Sequence, residues 1–286
     1  MSKRLLVSWV LVGILIVTTV VVWLIIFYKQ SSDELKVSFL DVGQGDAIFI
    51  EAPNGNQILI DAGAGRQVLR SLGQVMPFYD RQIDLVVATH ADADHIGGLA
   101  SVFERFEVLA IMDNGLVEDS KDYNYFANKA KLETAIRLVA RVGQKITLDK
   151  EVELEILFPE KDMQGSEANT ASIVARLTYG KTSFLLTGDS PSVIEDRLVQ
   201  RYGKNISANV LKLGHHGSNT SSSNYFLSAV DPDIAIVSAG RDNRYGHPHQ
   251  EVLDRLGLLN ITYLNTAKQG SIVFKSDGQR VLCTNC

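Results

Sequence analysis

Cysteine is almost missing from this sequence. Only Cys283 and Cys286 occur, as Cys-Thr-Asn-Cys at its end, so no disulfide framework can be read, and a lone CxxC without a second pair is thin support for zinc. The pair can clip a metal, close a small disulfide, or stand as two thiols on a frayed tail. Charge is missing from one stretch, since Leu5 to Tyr28 holds no charged residue. No second long apolar run follows, which excludes a multi-span channel. Basic residues are short as well. With Lys3, Arg4 and Lys29 set aside from the 28 basic residues, 25 face 33 acidic ones, a balance of about −8. Tight, salt-sensitive nucleic-acid binding needs a strongly basic surface, and this is not one.

What is present divides the chain unequally. The 24 residues from Leu5 to Tyr28 exceed the roughly 20 that a helix needs to cross the hydrocarbon core. A cleaved signal would have a shorter apolar run ending in small residues, and Ile25-Ile26-Phe27-Tyr28-Lys29 offers none. The expectation is an uncleaved, single-pass anchor at 5–28, with 1–4 cytoplasmic, because Lys3 and Arg4 precede the span while Lys29 alone follows closely before Asp33 and Glu34. Residues 29–35 read as a linker. Residues 36–282 suffice for one domain on the periplasmic or extracellular side, with 283–286 as the CxxC tail.

Short β-rich runs at Lys36–Val42, Ala47–Glu51 and Gln57–Asp61 are separated by turn signals and read as a meander. A helix near Arg66–Val75, an apolar strand Asp84–Thr89, a helix from Gly97, a strand Val108–Met112 and a long helix around Asn124–Ala140 follow. The second half repeats the theme with strands near Val152–Phe158, Ser172–Tyr179, Ser183–Thr187, Asn209–Leu213, Ile234–Ser238, Ile261–Leu264 and Ser271–Lys275. Helices are expected from Pro191, around Asn224–Val230 and from Pro248. Fully apolar strands such as Leu85-Val86-Val87-Ala88 belong in sheets covered on both faces. Two sheets flanked by helices, an αββα sandwich, satisfy that layering.

The six histidines, at 90, 95, 215, 216, 247 and 249, all follow expected strands. His90-Ala91-Asp92-Ala93-Asp94-His95 packs four possible ligands into six residues with small alanines between them, which suits a loop wrapping metal ions. His-x-Asp-x-Asp-His followed by Gly-Gly-Leu resembles the metal motif of the metallo-β-lactamase superfamily, whose usual form has His where this chain has Asp92. That departure, with Phe39-Leu40-Asp41-Val42-Gly43-Gln44-Gly45-Asp46, Asn169-Thr170-Ala171-Ser172, Thr187-Gly188-Asp189, Gly214-His215-His216-Gly217-Ser218 and Tyr245-Gly246-His247-Pro248, resembles the hydrolase domain of ComEC-type DNA-uptake proteins. The likeness covers about residues 36 to 282, without that family's channel.

The resemblance implies His90 and Asp92 on one metal, Asp94 and His95 on a second, Asp189 bridging, and His215 completing the second site. Asn169 stands where many members have a further His. Two divalent ions are implied, Zn2+ or Mn2+, since Asp92 enriches the ligand set in oxygen; no organic cofactor is expected. Paired cations sharing a carboxylate would bring the pKa of a water between them near neutrality and clamp the oxygens of a phosphoryl displacement. Asp94 at the metals and His247, as donor to the phosphate or leaving oxygen, take catalytic roles. Ser172, Ser218 and Asn219 are expected to meet phosphate oxygens, and Asp41, Asp61, Asn169 and His216 to stand behind the ligands. His249 reads as a surface residue.

The leading expectation is an exported phosphodiesterase, and the resemblance implies single-stranded DNA or RNA as its substrate. A small-phosphodiester hydrolase working on phosphorylcholine-bearing polymers, which the acidic balance favours, and an inactive metal-binding surface module stand as alternatives.

Overall fold

The computed structural model describes residues 3–30 and 33–286; Ser31 and Ser32, within the expected linker, and Met1 and Ser2 lie outside the described residues. The first element, α1 (Lys3–Gln30), is a single helix. Its stretch Lys3–Leu24 is long and apolar enough to cross a membrane and is wholly unburied, the one helix of that kind among the described residues.

The rest is built on two sheets. The first holds β1 (Leu35–Phe39), β2 (Ile48–Glu51), β3 (Gln57–Ile60), β4 (Gln82–Ala88), β5 (Glu107–Asp113) and β6 (Ile136–Val139). The chain then crosses over and lays down β7 (Lys145–Asp149), β8 (Val152–Phe158), β9 (Val174–Tyr179), β10 (Thr182–Leu186), β11 (Val210–Lys212), β12 (Ile234–Val237) and β13 (Thr262–Asn265) as the second sheet. It returns to the first with β14 (Ile272–Ser276) and β15 (Val281–Cys283), so that β1 is paired with β2 on one side and β14 on the other.

Alternation explains the layering. In β4, Leu85 and Val87 enter a core between the sheets with Ile50, Phe184 and Phe274. Val86 and Ala88 point the other way, into a core beneath α2 (Gln67–Val75), α3 (Ala93–Ile96), α4 (Leu99–Phe103) and α5 (Lys121–Leu132). A third core joins the second sheet to α6 (Ser192–Tyr202), α7 (Asn224–Val230) and α8 (Gln250–Leu258), while α9 (Thr266–Gln269) leads into β14. This is the αββα sandwich. A fully buried Phe or Leu in such cores contributes about 1.5–3 kcal/mol.

The long helix expected through Ala140 stops at Leu132. Ile136–Val139 instead pairs in parallel with β5, from Ala110↔Ile136 to Asp113↔Val139, because the open edge of β5 offers backbone partners that β-branched residues suit. The helix expected from Gly97 is two short pieces, α3 and α4, so His95 lies on a helix turn rather than in a loop. The tail is not frayed: Cys283 ends β15 opposite Phe274 and is disulfide-bonded to Cys286.

Candidate metal centre

Strand direction decides where the polar residues meet. β1, β3, β4, β10 and β11 all end at the same edge of the sandwich, and each releases a loop there. After β1, Gly45 takes a φ of +118°, and a Cβ would lie 2.0 Å from the Asp94 carbonyl oxygen. Glycine is therefore what lets Asp46 lie against the histidine loop, where its amide donates to Asp94 O at 3.2 Å. Asp41 serves its own turn, accepting the Gly43 amide at 3.1 Å, and no described contact joins it to an imidazole.

Asp61, just past β3, does reach the histidines. Its Oδ2 accepts from His95 Nδ1 at 2.7 Å and from the Thr89 hydroxyl at 2.6 Å, while Oδ1 accepts the Thr89 amide at 2.8 Å. Since the Thr89 hydroxyl is spent on Asp61, its oxygen is the acceptor for His90 Nδ1 at 3.0 Å. One buried carboxylate thus fixes two imidazoles, each with Nε2 pointing away from it.

Past β10, Gly188 has a φ of +51° and leaves room for the Ser172 hydroxyl, which a Cβ would approach to 2.2 Å. Ser172 is fully buried, accepts the Asp189 amide at 3.1 Å and lies 3.4 Å from His90 Nδ1. Past β11, His215 and His216 both adopt left-handed backbone, with φ of 48° and 56°. Such conformations cost about 1–3 kcal/mol each for non-glycine residues, and here they turn adjacent imidazoles into one site. His216 Nδ1 donates to Ser238 O at 2.8 Å, and His215 Nδ1 pairs with Thr220 Oγ1 at 3.1 Å.

The Nε2 atoms converge on one oxygen. Asp189 Oδ2 lies 3.3 Å from His95 Nε2, 3.3 Å from His216 Nε2, 3.8 Å from His215 Nε2 and 3.9 Å from His90 Nε2. Asp94 Oδ2 stands 3.2 Å from His216 Nε2, and Asp92 Oδ2 3.5 Å from His90 Nε2. Asp46 adds a carboxylate behind His216, 3.3 Å from Nδ1, and its other oxygen meets the fully buried Lys212 ammonium at 2.7 Å. Burial opposes charge on Asp46, but Lys212 and then His216 hold its carboxyl below the usual range. Burial likewise opposes an imidazolium at His95 and His216, and Asp189 with its fellow carboxylates outweighs it, holding both well above the ordinary range.

Around this centre Ser218 is buried and accepts from Thr220, and the Asn219 amide donates to His249 Nδ1 at 3.0 Å, tying its loop to the start of α8. His249 Nε2 then donates to Tyr245 O at 3.2 Å, so this residue, read from sequence as surface, links two loops of the site. His247 has its ring centroid 5.3 Å from that of His215. Burial, followed by His216 and His215, pushes it down to about 4, so it is neutral at neutral pH. Asn169 begins the turn that delivers Ser172, its Oδ1 buried without a partner.

The Metallo-beta-lactamase superfamily pattern matches residues 40–241. The chain belongs to this superfamily. Among curated relatives it is similar to ComE operon protein 3 of Bacillus subtilis, 33% identical over 89% of this chain and 35% of that protein. Competence protein ComA of Neisseria gonorrhoeae is 35% identical over 68% of the chain and 25% of its own length, and Recombination protein 2 of Haemophilus influenzae 30% identical over 87% and 30%. The chain therefore spans between a quarter and about a third of the length of these relatives. Solved structures share the fold. A diiron beta-hydroxylase, CmlA from Streptomyces venezuelae, has a TM-score of 0.52 at 14% identity, over 88% of this chain and 55% of that one. Zn(2+)-bound PqqB from Methylobacterium extorquens has 0.51 at 13%, over 78% and 85%.

The superfamily's metal-dependent hydrolase fold calls for a cation, and the residues of this site fit one. His90 Nε2, His95 Nε2, His216 Nε2 and Asp189 Oδ1 are buried without hydrogen-bond partners, while the opposite nitrogen of each of these imidazoles is occupied. Ligand atoms of Asp46, His95, Asp189 and His216 all lie within 4.8 Å of one another. Asp46 and Lys212 stand in or beside the motifs that carry the resemblance, but the sequence gives neither a role in the site. Gly-Gln-Gly-Asp reads as a turn, and nothing in the sequence shows that the Lys212 ammonium is buried against Asp46.

Proposed function

We propose that this chain is a membrane-anchored, metal-dependent phosphodiesterase that cuts nucleic-acid strands outside the cytoplasm, using two divalent ions, zinc or manganese. The observation that carries the reading is the convergence of four imidazole nitrogens on the single oxygen Asp189 Oδ2, the arrangement expected of a carboxylate shared between two ions. His90, Asp92 and His215 would hold the first ion, and Asp94, His95 and His216 the second. This exchanges the roles that the resemblance gave to His215 and His216, because His216 Nε2 is the nitrogen beside Asp94. The ions would supply Lewis acidity and a nucleophile at neutral pH. Ser172 orients Asp189 and His90 instead of meeting phosphate, and Asn219 braces the His249 loop. His247, neutral and next to His215, donates to a phosphate oxygen or the leaving group. The likeness to competence proteins favours a DNA strand, and the acidic balance of the chain keeps a small phosphodiester as the second reading.

The chain with its α1 helix in nanodiscs, loaded with zinc or manganese, should hold close to two ions per chain. It should cleave single-stranded DNA faster than a chromogenic diester. His247→Ala should keep its metal and lose about 10²- to 10³-fold in turnover, whereas Asp189→Ala should lose both metal and turnover. A metal-replete protein that cleaves no phosphodiester would sink the proposal.

A further inference from the structure

The edge of the sandwich opposite the metal centre carries an aromatic pair that the hydrolase site does not use. Phe78 is 84% exposed and Tyr79 63% exposed, side by side with ring centroids 5.5 Å apart. They sit in the turn before β4, whose far end leads to His90. A strand of seven residues puts about 20 Å between the two ends. Beside the pair lies a recess of about 200 Å³ with an apolar floor of Leu69, Leu72, Met76 and Phe106, flanked by Arg81 and Arg105.

The same edge is where the chain leaves α1. Asp33 O accepts from the Tyr179 hydroxyl at 3.1 Å, at the lower end of β9, and Glu34 pairs with Lys275. β1 starts at Leu35 and runs parallel to β4, with β2 and β3 between them, so the starts of β1 and β4 share an edge. Two residues, Ser31 and Ser32, separate Gln30 at the end of α1 from Asp33. At about 3.3–3.6 Å per residue, so short a connection keeps this edge next to whatever surface α1 enters.

We propose that Phe78 and Tyr79, with Arg81 and Arg105, form a second membrane contact that seats this edge of the domain in the headgroup boundary of an anionic bilayer. Exposed aromatic rings favour that boundary, and nearby guanidinium groups suit its phosphates. The contact rests on the membrane-anchor reading given above and goes beyond it, because a tether at one point holds this edge near the bilayer but leaves the domain free to tilt and turn about that point. Two contacts fix its orientation, with the metal centre on the face turned away from the lipid.

The test uses the full chain in vesicles of phosphatidylcholine and phosphatidylglycerol. Both tryptophans, Trp9 and Trp23, lie in α1, so quenching of tryptophan emission by brominated lipid reads the anchor alone. A bimane label at F78C, compared with one at V117C, reads the docking; Val117 is 68% exposed, beyond the site end of β5. Lipid-borne nitroxide should quench the label at 78 several-fold more than at 117. Equal quenching at both, with tryptophan still quenched, would overturn the docking and leave the anchor standing. Shielding of position 78 from aqueous iodide without quenching by lipid would mean a protein neighbour and would also overturn it. Unquenched tryptophan would remove the anchor and the docking together.

Discussion

Asp61 shows how much one carboxylate can carry. Its two oxygens accept from the Thr89 amide, the Thr89 hydroxyl and His95 Nδ1, and through Thr89 it also sets the tautomer of His90. Asparagine in its place can offer one acceptor and must turn an NH2 towards a donor. Asp61→Asn is therefore expected to lower metal affinity about 10- to 100-fold, measured by competition with a chromogenic chelator; unchanged affinity would show that the imidazoles are oriented without it. Lys212 poses a different problem. Its ammonium is fully buried, spent on Asp46 and on Leu213 O. Removing one member of a buried ion pair strands the other, at a cost of about 3–5 kcal/mol. Lys212→Met should show that loss in urea unfolding of the metal-free protein.

At the scale of elements, Glu195 on α6 is the tie between helices. Its carboxylate accepts the Ser222 amide at 2.8 and 2.9 Å and the Ser223 amide at 3.4 Å, just ahead of α7. Burial pushes it up to about 8, against the pull of those amides. The folded chain therefore keeps a proton that the unfolded chain releases near 4.5. The resulting stability is fully present below the unfolded value and is lost as pH rises through about 8. Unfolding free energy should fall by on the order of a few kcal/mol between about pH 5 and about pH 8 in the native chain, and by clearly less in Glu195→Gln. Parallel pH slopes in the two proteins would refute this. Elements with a strong period were legible in the sequence: β4 was expected at Asp84–Thr89 and found at Gln82–Ala88, and α2 within a residue of its bounds. β6 was hidden, because Ile136–Val139 gains strand structure only from the free edge of β5. β7 went unread for a similar reason, as its residues depend on pairing with β8. Within the site, the spacing of His90 to His95 was visible, but which of two adjacent histidines faces Asp94 is set by left-handed backbone that sequence does not display.

For the molecule as a whole, the metal centre is a seam. Asp46, Asp61, His90 and His95 come from segments that follow strands of the first sheet, and Asp189, His215 and His216 from segments that follow strands of the second. A cation bound there holds the sheets together, and ligand present at about 100 times its Kd adds roughly 2.7 kcal/mol to stability. Chelation should accordingly lower the calorimetric Tm in the native chain, and a Tm indifferent to chelator would mean that the seam closes without a cation. The pairing of β1 with β14 has a consequence in time. Leu35 meets Ser276 and Phe39 meets Ile272, so a ribosome must deliver the whole stretch between β1 and β14 before β1 finds its second neighbour. Until then β1 presents an open edge, the kind of edge that recruits strands from other chains. A chain lacking residues 271–286 would carry that adhesive edge permanently, so β14 is the strand whose arrival ends the exposure of β1 to aggregation.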